Sequence, residues 1–268
     1  MIAVCIVTYN QESFVAQTIE SVQAQVCDEP VRIYIGDDAS TDGTRAICER
    51  YAAEDERIVY VRRPKNIGLA QNTLDLYRLM LADGCTYIAM LDGDDYWTDP
   101  NKLQLQTDYL RAHPETGLVH TAAYEETDGK RMATDEPDKP TGDIRTQYNL
   151  SGARHTNCTV LFRSDLLKEI PLDELERQHF PIVDYPLYGL FAQHTCFGYL
   201  YHYTAAWRNH SSVSRPVRWK DYIRYKTERV RMWKWLDTCY PHRFHYSGLH
   251  AIWWLSRQVF AFFYEKMQ

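Results

Sequence analysis

The sequence predicts an α/β fold, a mostly parallel sheet covered by helices, followed by a helical extension at the C-terminus. Three observations carry that expectation. Short β-branched or apolar runs alternate with helically spaced apolar residues from the first residues onward. Polar and acidic residues gather directly after those runs, where open parallel sheets bind their ligands. At 268 residues, with 45% hydrophobic and 25% charged residues, the chain has the length and composition to bury a large core.

The elements follow in order. "IAVCIVT" reads as the first strand, and Phe14, Thr18, Ile19 and Val22 then recur at helical spacing. "VRIYIG" is a second strand that ends at Asp37 and Asp38, and Thr41 or Asp42 is placed to cap a helix through Arg50. "RIVYVR" is a third strand. A long helix around Leu74, Tyr77 and Leu81 leads to the strand "TYIAML". Asp99 before Pro100 predicts an N-cap with proline at the first helical position, and that helix ends near His113 and Pro114. The polar stretch 127–146, rich in Pro, Asp and Lys, predicts a mobile surface loop between two halves. "CTVLFR" is strand-like, Ser164 is placed to cap a short helix, and "FPIVDYPLYGLFAQ" has helical spacing with Asp184 near its start. Aromatic strands around "FGYLYHYTAAW" precede two final helical stretches, 217–236 and 249–264.

Charge divides the chain. The net charge is −6, yet residues 215–234 hold eight Lys/Arg against two acids and residues 1–214 carry −13. A basic tail after an acidic body points to a negatively charged partner, with membrane phospholipid and nucleic acid both open on charge alone. The start "MIAVCIVTYN" has no basic n-region before its strand pattern, and no apolar run is long enough to span a bilayer. Seven cysteines without a C-x-x-C pair argue for reduced thiols and a cytoplasmic protein.

Four strand ends could carry chemistry: Thr8–Tyr9–Asn10, Asp37–Asp38, Arg62–Arg63 and Asp92 to Asp95. An aspartate after the second strand is placed to accept bonds from a base or ribose, although a turn role is as good a reading for Asp37 or Asp38 taken alone. Asp92, Gly93, Asp94 and Asp95 put three carboxylates within four residues, which repel one another unless a cation compensates. Mg²⁺ or Mn²⁺ prefers such oxygen ligands together with substrate phosphates. Asp38, Ser40, Asp42, Gly43 and Glu49 match an EF-hand loop numerically, but a strand precedes the loop and Arg45 would enter the ligand ring. Asp184 is a lone carboxylate in an apolar segment, where burial suits a general base, a helix cap or an ion-pair partner. Arg208 and His210 in "WRNHSSVS" are candidates for a diphosphate contact, and "GARHTNCT" is polar enough to line a sugar or acceptor pocket.

Read together, "VCIVTYNQESFVAQTIESVQAQ", "YIGDDASTDGT", "NIGLAQNT" and "MLDGDDYWTDPNKLQLQ" resemble the family 2 glycosyltransferases of the GT-A fold, over residues 1–214. The resemblance implies a Rossmann-like nucleotide-binding sheet flanked by helices, with residues 215–268 as a basic, aromatic extension. It implies transfer of a sugar with inversion from a nucleoside diphosphate sugar, a UDP-sugar by preference, to a glycan or lipid-linked acceptor in surface polysaccharide synthesis. Carried over, Thr8, Tyr9, Asn10, Asp37, Asp38 and Asn66 border the nucleotide; Asp92, Gly93 and Asp94 form the D-x-D motif, with Asp92, Asp94 and Asp95 holding Mn²⁺ or Mg²⁺. Asp184 takes the place of the catalytic base, although Val183 stands where a Glu-Asp pair is frequent, and His210 resembles the polar residue near the diphosphate.

The chemistry has rivals. A nucleotidyltransferase shares the sheet and the carboxylates but carries a Gly-rich basic loop after its first strand, where this chain has "TYNQES". A non-catalytic nucleotide- or glycan-binding module would lack a base. A double-displacement glycosidase needs a second isolated acid, and none stands out. The last helix, "AIWWLSRQVFAFFYEK", is apolar on almost every face, so it docks on the body, meets a second subunit in a homodimer, or lies on the inner face of an anionic membrane.

Overall fold

A computed structural model describes residues 1–135, 137, 139, 141–143, 155–209, 218–241 and 247–265, with side chains through residue 258. β1 (Ile2–Thr8) is buried along its whole length, as a central strand covered on both faces must be. β2 (Val31–Asp37) and β4 (Tyr87–Asp92) flank it in parallel, and β3 (Ile58–Arg62) continues the parallel half beyond β2. The register sets Thr8 opposite Asp37 and Val7 opposite Asp92. Three polar strand ends therefore stand in one row.

Alternation along β1 divides the core in two. Ile2, Val4 and Ile6 face α1 (Val15–Gln23) and α2 (Thr44–Glu54), while Ala3, Cys5 and Val7 face α3 (Leu69–Ala82). α1 buries Val15, Thr18, Ile19 and Val22, the three-and-four spacing of one helical face. Asp42 serves the first turn of α2, its carboxylate accepting the Thr44 N–H at 3.0 Å, and the helix runs on to Glu54 rather than stopping at Arg50.

The second half is mixed. β5 (Tyr96–Trp97) and α4 (Lys102–Ala112) precede β6 (Thr116–Thr127), β7 (Lys130–Ala133) and β8 (Leu161–Arg163), and α5 (Leu172–Arg177) and α6 (Asp184–Phe191) lead to β9 (Cys196–Arg208). The strand order is β3-β2-β1-β4-β8-β6-β9-β5, with β7 on β6. β8 runs antiparallel to both β4 and β6, whereas β6 and β9 pair in parallel over nearly their full lengths.

Three local expectations are corrected. Part of the stretch 127–146 is ordered: Asp128 (φ 51°) and Gly129 (φ 74°) make the left-handed turn of a β6–β7 hairpin, and Asp135 accepts the Ala123 N–H at 2.8 Å. Asp99 does not cap α4 directly, because its carboxylate accepts the Asn101 N–H at 2.8 Å and the helix opens at Lys102. Ser164 lies inside a 3-10 turn, and its hydroxyl donates to the Cys85 carbonyl at 2.5 Å instead of capping.

The extension is helical, with α7 (Trp219–Cys239) and α8 (Gly248–Glu265). α7 docks on the body by burying Met232, Trp233, Trp235 and Leu236 in the same cluster as α3 and α6. On α8, Ala251 is buried while Leu249, Ile252 and Trp253 remain 82%, 64% and 55% exposed. No helix among the described residues is long and apolar enough to cross a membrane.

Candidate active site

The first wall of the site is made of two tight turns that hold each other. Asn10 adopts a left-handed conformation (φ 54°), as does Ala39 (φ 62°), an unfavourable choice for residues with a Cβ that tertiary contacts must impose. Here they do. The Asn10 N–H donates to Ser40 Oγ at 3.0 Å, and Asn10 Oδ1 accepts the Thr41 N–H at 2.8 Å. Thr8 donates its hydroxyl to Gln11 Oε1, and its carbonyl accepts the Asp38 N–H at 3.0 Å. Tyr9 is left 46% exposed at this edge.

The two aspartates after β2 are both buried and both engaged. Asp37 accepts the Ser40 N–H at 2.8 Å and the Tyr60 hydroxyl at 2.7 Å. The Asp38 carboxylate accepts the N–H groups of Ile67 (2.7 Å) and Gly68 (2.8 Å), and Asn66 Nδ2 donates to the Asp38 carbonyl at 3.3 Å. Asp38 thus shapes the turn carrying Asn66 and brings it to the same wall. A cavity of about 270 Å³ runs from Ile67 and Gly68 to Val183, the neighbour of Asp184.

The acidic loop after β4 is held from three sides. Gly93 donates its N–H to the Val7 carbonyl at 2.9 Å, and the Thr18 hydroxyl lies 2.9 Å from the Gly93 carbonyl and 2.7 Å from that of Asp95. Glycine is required there, since a Cβ at position 93 would sit 2.2 Å from Gln11 Oε1 and 2.8 Å from Thr8 Cβ. From the far edge, Arg208 donates its N–H to Asp95 Oδ1 at 2.9 Å and its guanidinium to the Asp94 carbonyl. That guanidinium also binds Glu126 and Gln17 and lies over the rings of Phe14 and Tyr96. Arg208 is therefore a brace of the acidic loop, and the diphosphate contact expected of it does not suit a group so fully engaged.

Electrostatics make the loop uncomfortable without a cation. Burial first, then the neighbouring Asp94 and Asp184, push the half-buried Asp92 carboxyl up to about 7, against the pull of Asn157. Asn157 Nδ2 lies 3.3 and 3.2 Å from the two Asp92 oxygens. Burial, Asp94 and Asp92 drive Asp95 well above the carboxylate range, while the Arg208 N–H and the Cys158 thiol oppose them. A divalent cation would relieve this repulsion, and the oxygen donors are of the type Mg²⁺ and Mn²⁺ accept. Yet no group of three ligand side chains converges among the described residues. The fit is that of a cation held by one or two carboxylates and completed by phosphate. Asp92 and Asp94 suit that role; Asp95, tied to β9, serves as a lock for the loop.

Asp184 opens α6, half-buried, with its Oδ1 accepting the Tyr185 N–H at 2.7 Å. Burial raises its carboxyl, and the Tyr185 N–H and Arg229 pull it back. One turn on, the Tyr188 hydroxyl donates to Asn157 Oδ1 at 2.7 Å, so α6 is wired through Asn157 to Asp92. Asn157 falls in the polar stretch "GARHTNCT" singled out as a pocket lining, but its bond to Asp92 has no signal in the sequence, and Tyr188 has none at all, because each acts on a partner distant along the chain. Tyr188 also meets the ring of His155 edge-on at 4.7 Å, and burial keeps that histidine neutral by lowering it to about 3. His210 and residues 152–154 of "GARHTNCT" lie outside the described residues.

Comparison with known proteins gives the same outline. The family described as glycosyl transferase family 2 matches residues 3–170. An uncharacterised protein of Mycobacterium tuberculosis is 43% identical over 111 residues, which are 41% of this chain and 31% of that protein. The chain thus spans about a third of such a relative. The succinoglycan biosynthesis protein ExoA of Rhizobium meliloti is 29% identical over 110 residues, 41% of this chain and 33% of that one. In fold, the chain resembles Staphylococcus aureus TarS 1–349 in complex with UDP-GlcNAc (TM-score 0.61, 16% identity, 98% of this chain and 71% of that chain). It also resembles the mannosyltransferase PcManGT of Pyrobaculum calidifontis in complex with GDP-Man and Mn²⁺ (TM-score 0.60, 16% identity, 97% and 73%).

Proposed function

The chain belongs to glycosyltransferase family 2, and from that premise we propose that it transfers a sugar, with inversion, from a nucleoside diphosphate sugar to a hydroxyl of a glycan or lipid-linked acceptor. A UDP-sugar is our preferred donor and surface polysaccharide synthesis the preferred setting. The observation that supports the reading most is that Asn157 joins two segments far apart in sequence, donating to Asp92 after β4 and accepting from Tyr188, one turn beyond Asp184 on α6. The donors named for the two similar folds, UDP-GlcNAc and GDP-Man with Mn²⁺, support the donor class.

In this reading Asp184 accepts the proton of the acceptor hydroxyl as its oxygen bonds to the anomeric carbon, on the face opposite the departing diphosphate. A sugar hydroxyl is a weak nucleophile, so the base must be ionised and fixed, and the Tyr185 N–H supplies one of its fixed partners. Asp92 and Asp94 would hold Mg²⁺ or Mn²⁺, whose charge stabilises the leaving diphosphate. Thr8, Tyr9, Asn10, Asp37, Asp38 and Asn66 form the nucleotide wall, directly or by shaping the turns described above, and His210 is assigned to the diphosphate. We place the catalytic unit at residues 1–214.

Asp184→Asn tests the reading. With a panel of donors and Mn²⁺, transfer should fall by about 10²–10⁴-fold, while the donor-induced rise in melting temperature persists. Unchanged turnover would remove Asp184 as the base. Donor binding with no turnover in the wild type would favour a binding module, and nucleotide transfer in place of sugar transfer would favour a nucleotidyltransferase.

The extension, residues 215–268, we read as a contact with the inner face of an anionic membrane. Leu249, Ile252 and Trp253 project from α8, and Lys220, Arg224 and Lys234 on α7, with Arg218 directly before it, are exposed. Flotation with anionic vesicles should be lost on changing the three α8 residues to serine. Flotation that survives the change refutes this part, and a concentration-dependent dimer that the change dissolves would assign the face to a second subunit.

A further inference from the structure

β9 carries tyrosines at alternate positions, Tyr199, Tyr201 and Tyr203, so their rings share one face of the sheet. His202, between two of them, turns the other way and meets Asp99 at 2.7 Å. On β6, His120 and Tyr124 lie an even number of residues apart and share that face as well. The ring centres form an unbroken row: His120 to Tyr199 at 4.7 Å, Tyr199 to Tyr201 at 6.3 Å, Tyr201 to Tyr203 at 5.7 Å and Tyr203 to Tyr124 at 4.6 Å. The row begins in the interior, where the fully buried His120 meets His155 at 5.5 Å and His155 meets Tyr188 of α6. It ends outside, with Tyr124 and Tyr203 half-buried and Tyr201 53% exposed. The inner rings thus fix the outer ones in place.

The row is continuous with the candidate active site. β6 and β9 run the same way as β4, because β4 and β6 are both antiparallel to β8. The outer tyrosines therefore lie toward the end of the sheet where the acidic loop follows β4, and Arg208, which braces that loop, closes the strand that carries them. At the inner end, Tyr188 belongs to the helix that Asp184 opens. The surface also indicates what it takes. A phenol offers a flat apolar face with a hydroxyl at its edge, the counterpart of a pyranose with its C–H face and rim of hydroxyls. Successive rings are spaced on the scale of one pyranose unit, so a chain of sugars can lie along them. Two charges beside the row, Lys139 near Tyr199 and Asp135, whose carbonyl accepts the Tyr203 hydroxyl at 3.0 Å, pair with each other at 2.6 Å and neutralise one another. An uncharged ligand suits such a surface better than an anionic lipid. From this geometry we propose that Tyr124, Tyr201 and Tyr203 form a stacking platform for an uncharged oligosaccharide, the part of a glycan acceptor that lies several sugars away from the reacting hydroxyl. The proposal rests on the glycosyltransferase reading for the meaning of acceptor, and it commits that acceptor to a glycan chain.

The test uses the full chain labelled with 3-fluorotyrosine, with the ¹⁹F signals of Tyr201 and Tyr203 assigned by their loss in Tyr201→Phe and Tyr203→Phe. Cellohexaose, maltohexaose, mannohexaose and chitohexaose are titrated in turn, without donor. At least one should shift both signals, and the matching disaccharide, which covers fewer rings, should bind more weakly. Tyr201→Ser should weaken hexasaccharide binding by about three- to tenfold, the worth of one aromatic contact, while Tyr201→Phe keeps the ring face and the affinity. Tyr201→Leu, which retains apolar area without a flat ring, should show the same loss and serves if the serine variant does not fold. Signals indifferent to all four hexasaccharides, equal affinity for disaccharide and hexasaccharide, or full affinity in the serine and leucine variants overturns the proposal. So does a Tyr201→Ser variant that binds the sugar as before and loses flotation with phosphatidylglycerol vesicles, which would give this face to a lipid surface. A wild type that binds a hexasaccharide and transfers no sugar defeats the assigned reaction and leaves the platform standing; one that transfers sugar while its tyrosine signals ignore every hexasaccharide defeats the platform alone.

Discussion

Gly93→Ala probes the acidic loop without altering a charge. The added methyl would lie 2.2 Å from Gln11 Oε1 and 2.8 Å from both Cβ and Oγ1 of Thr8, against about 3.5–4.0 Å for carbon atoms at ease. Gln11 can swing aside, at the loss of its bond from the Thr8 hydroxyl, worth roughly 1 kcal/mol. Thr8 cannot follow, being 3% exposed at the end of β1 with its carbonyl bound to Asp38. Nor can the loop retreat, because Val7, Thr18 and Arg208 hold its backbone. Overpacking of this kind costs about 1–3 kcal/mol, so the total loss is roughly 2–4 kcal/mol. For a chain of this length each kcal/mol corresponds to roughly 2–4 °C, and the melting temperature followed by circular dichroism should therefore fall by about 4–16 °C. Adding Gln11→Ala removes only the softer clash and should restore less than half of the loss. A single variant melting within about 1 °C of the wild type, on the same scale, would refute the picture of a loop clamped on three sides.

Two further outcomes follow from buried polar groups. Lys102 is fully buried, over the Trp97 ring and bonded to Gln106, and burial lowers its pKa to about 7. The unfolded chain binds this proton up to about pH 10, so between about 7 and 10 it holds more protons than the folded chain and stability rises with pH. Lys102→Met should flatten that rise and stabilise the protein by about 1–2 kcal/mol below pH 7, as read from urea unfolding across the range; an unchanged slope would show Lys102 to be charged or solvated in the fold. Asn157→Ala removes the bonds to Asp92 and from Tyr188, and should lower stability by about 1–3 kcal/mol and weaken donor binding in Mn²⁺ more than Tyr188→Phe does; calorimetry with UDP and Mn²⁺ ranks them, and equal affinities would detach Asn157 from the site.

The parallel half and its polar strand ends were legible because each strand is a short apolar run and each crossover helix repeats its apolar residues at helical spacing. β6 was not, since "TGLVHTAAYEET" mixes threonine, histidine and alanine, whose burial is decided by pairing with β8 and β9 rather than by local pattern. The hairpin at Asp128 and Gly129 carried a readable Asp-Gly turn that the charged surroundings masked. In the site, Asp92 and Asp184 could be singled out as carboxylates in apolar company. Tyr188 and Thr18 could not, and Asn157 only as one residue of the polar stretch "GARHTNCT", because an amide or hydroxyl acquires its role only from a partner supplied by another element.

The brace that Arg208 forms between β9 and the acidic loop also bears on how a donor arrives. A loop that hung free would have to surrender its conformational entropy at each binding event, with a slow ordering step before chemistry. Tied to Arg208 and Thr18, this loop loses that freedom once, when the chain folds. A nucleotide donor of the proposed reaction would then meet a formed surface, and its association rate would be set by encounter and charge instead of by waiting for the protein to organise.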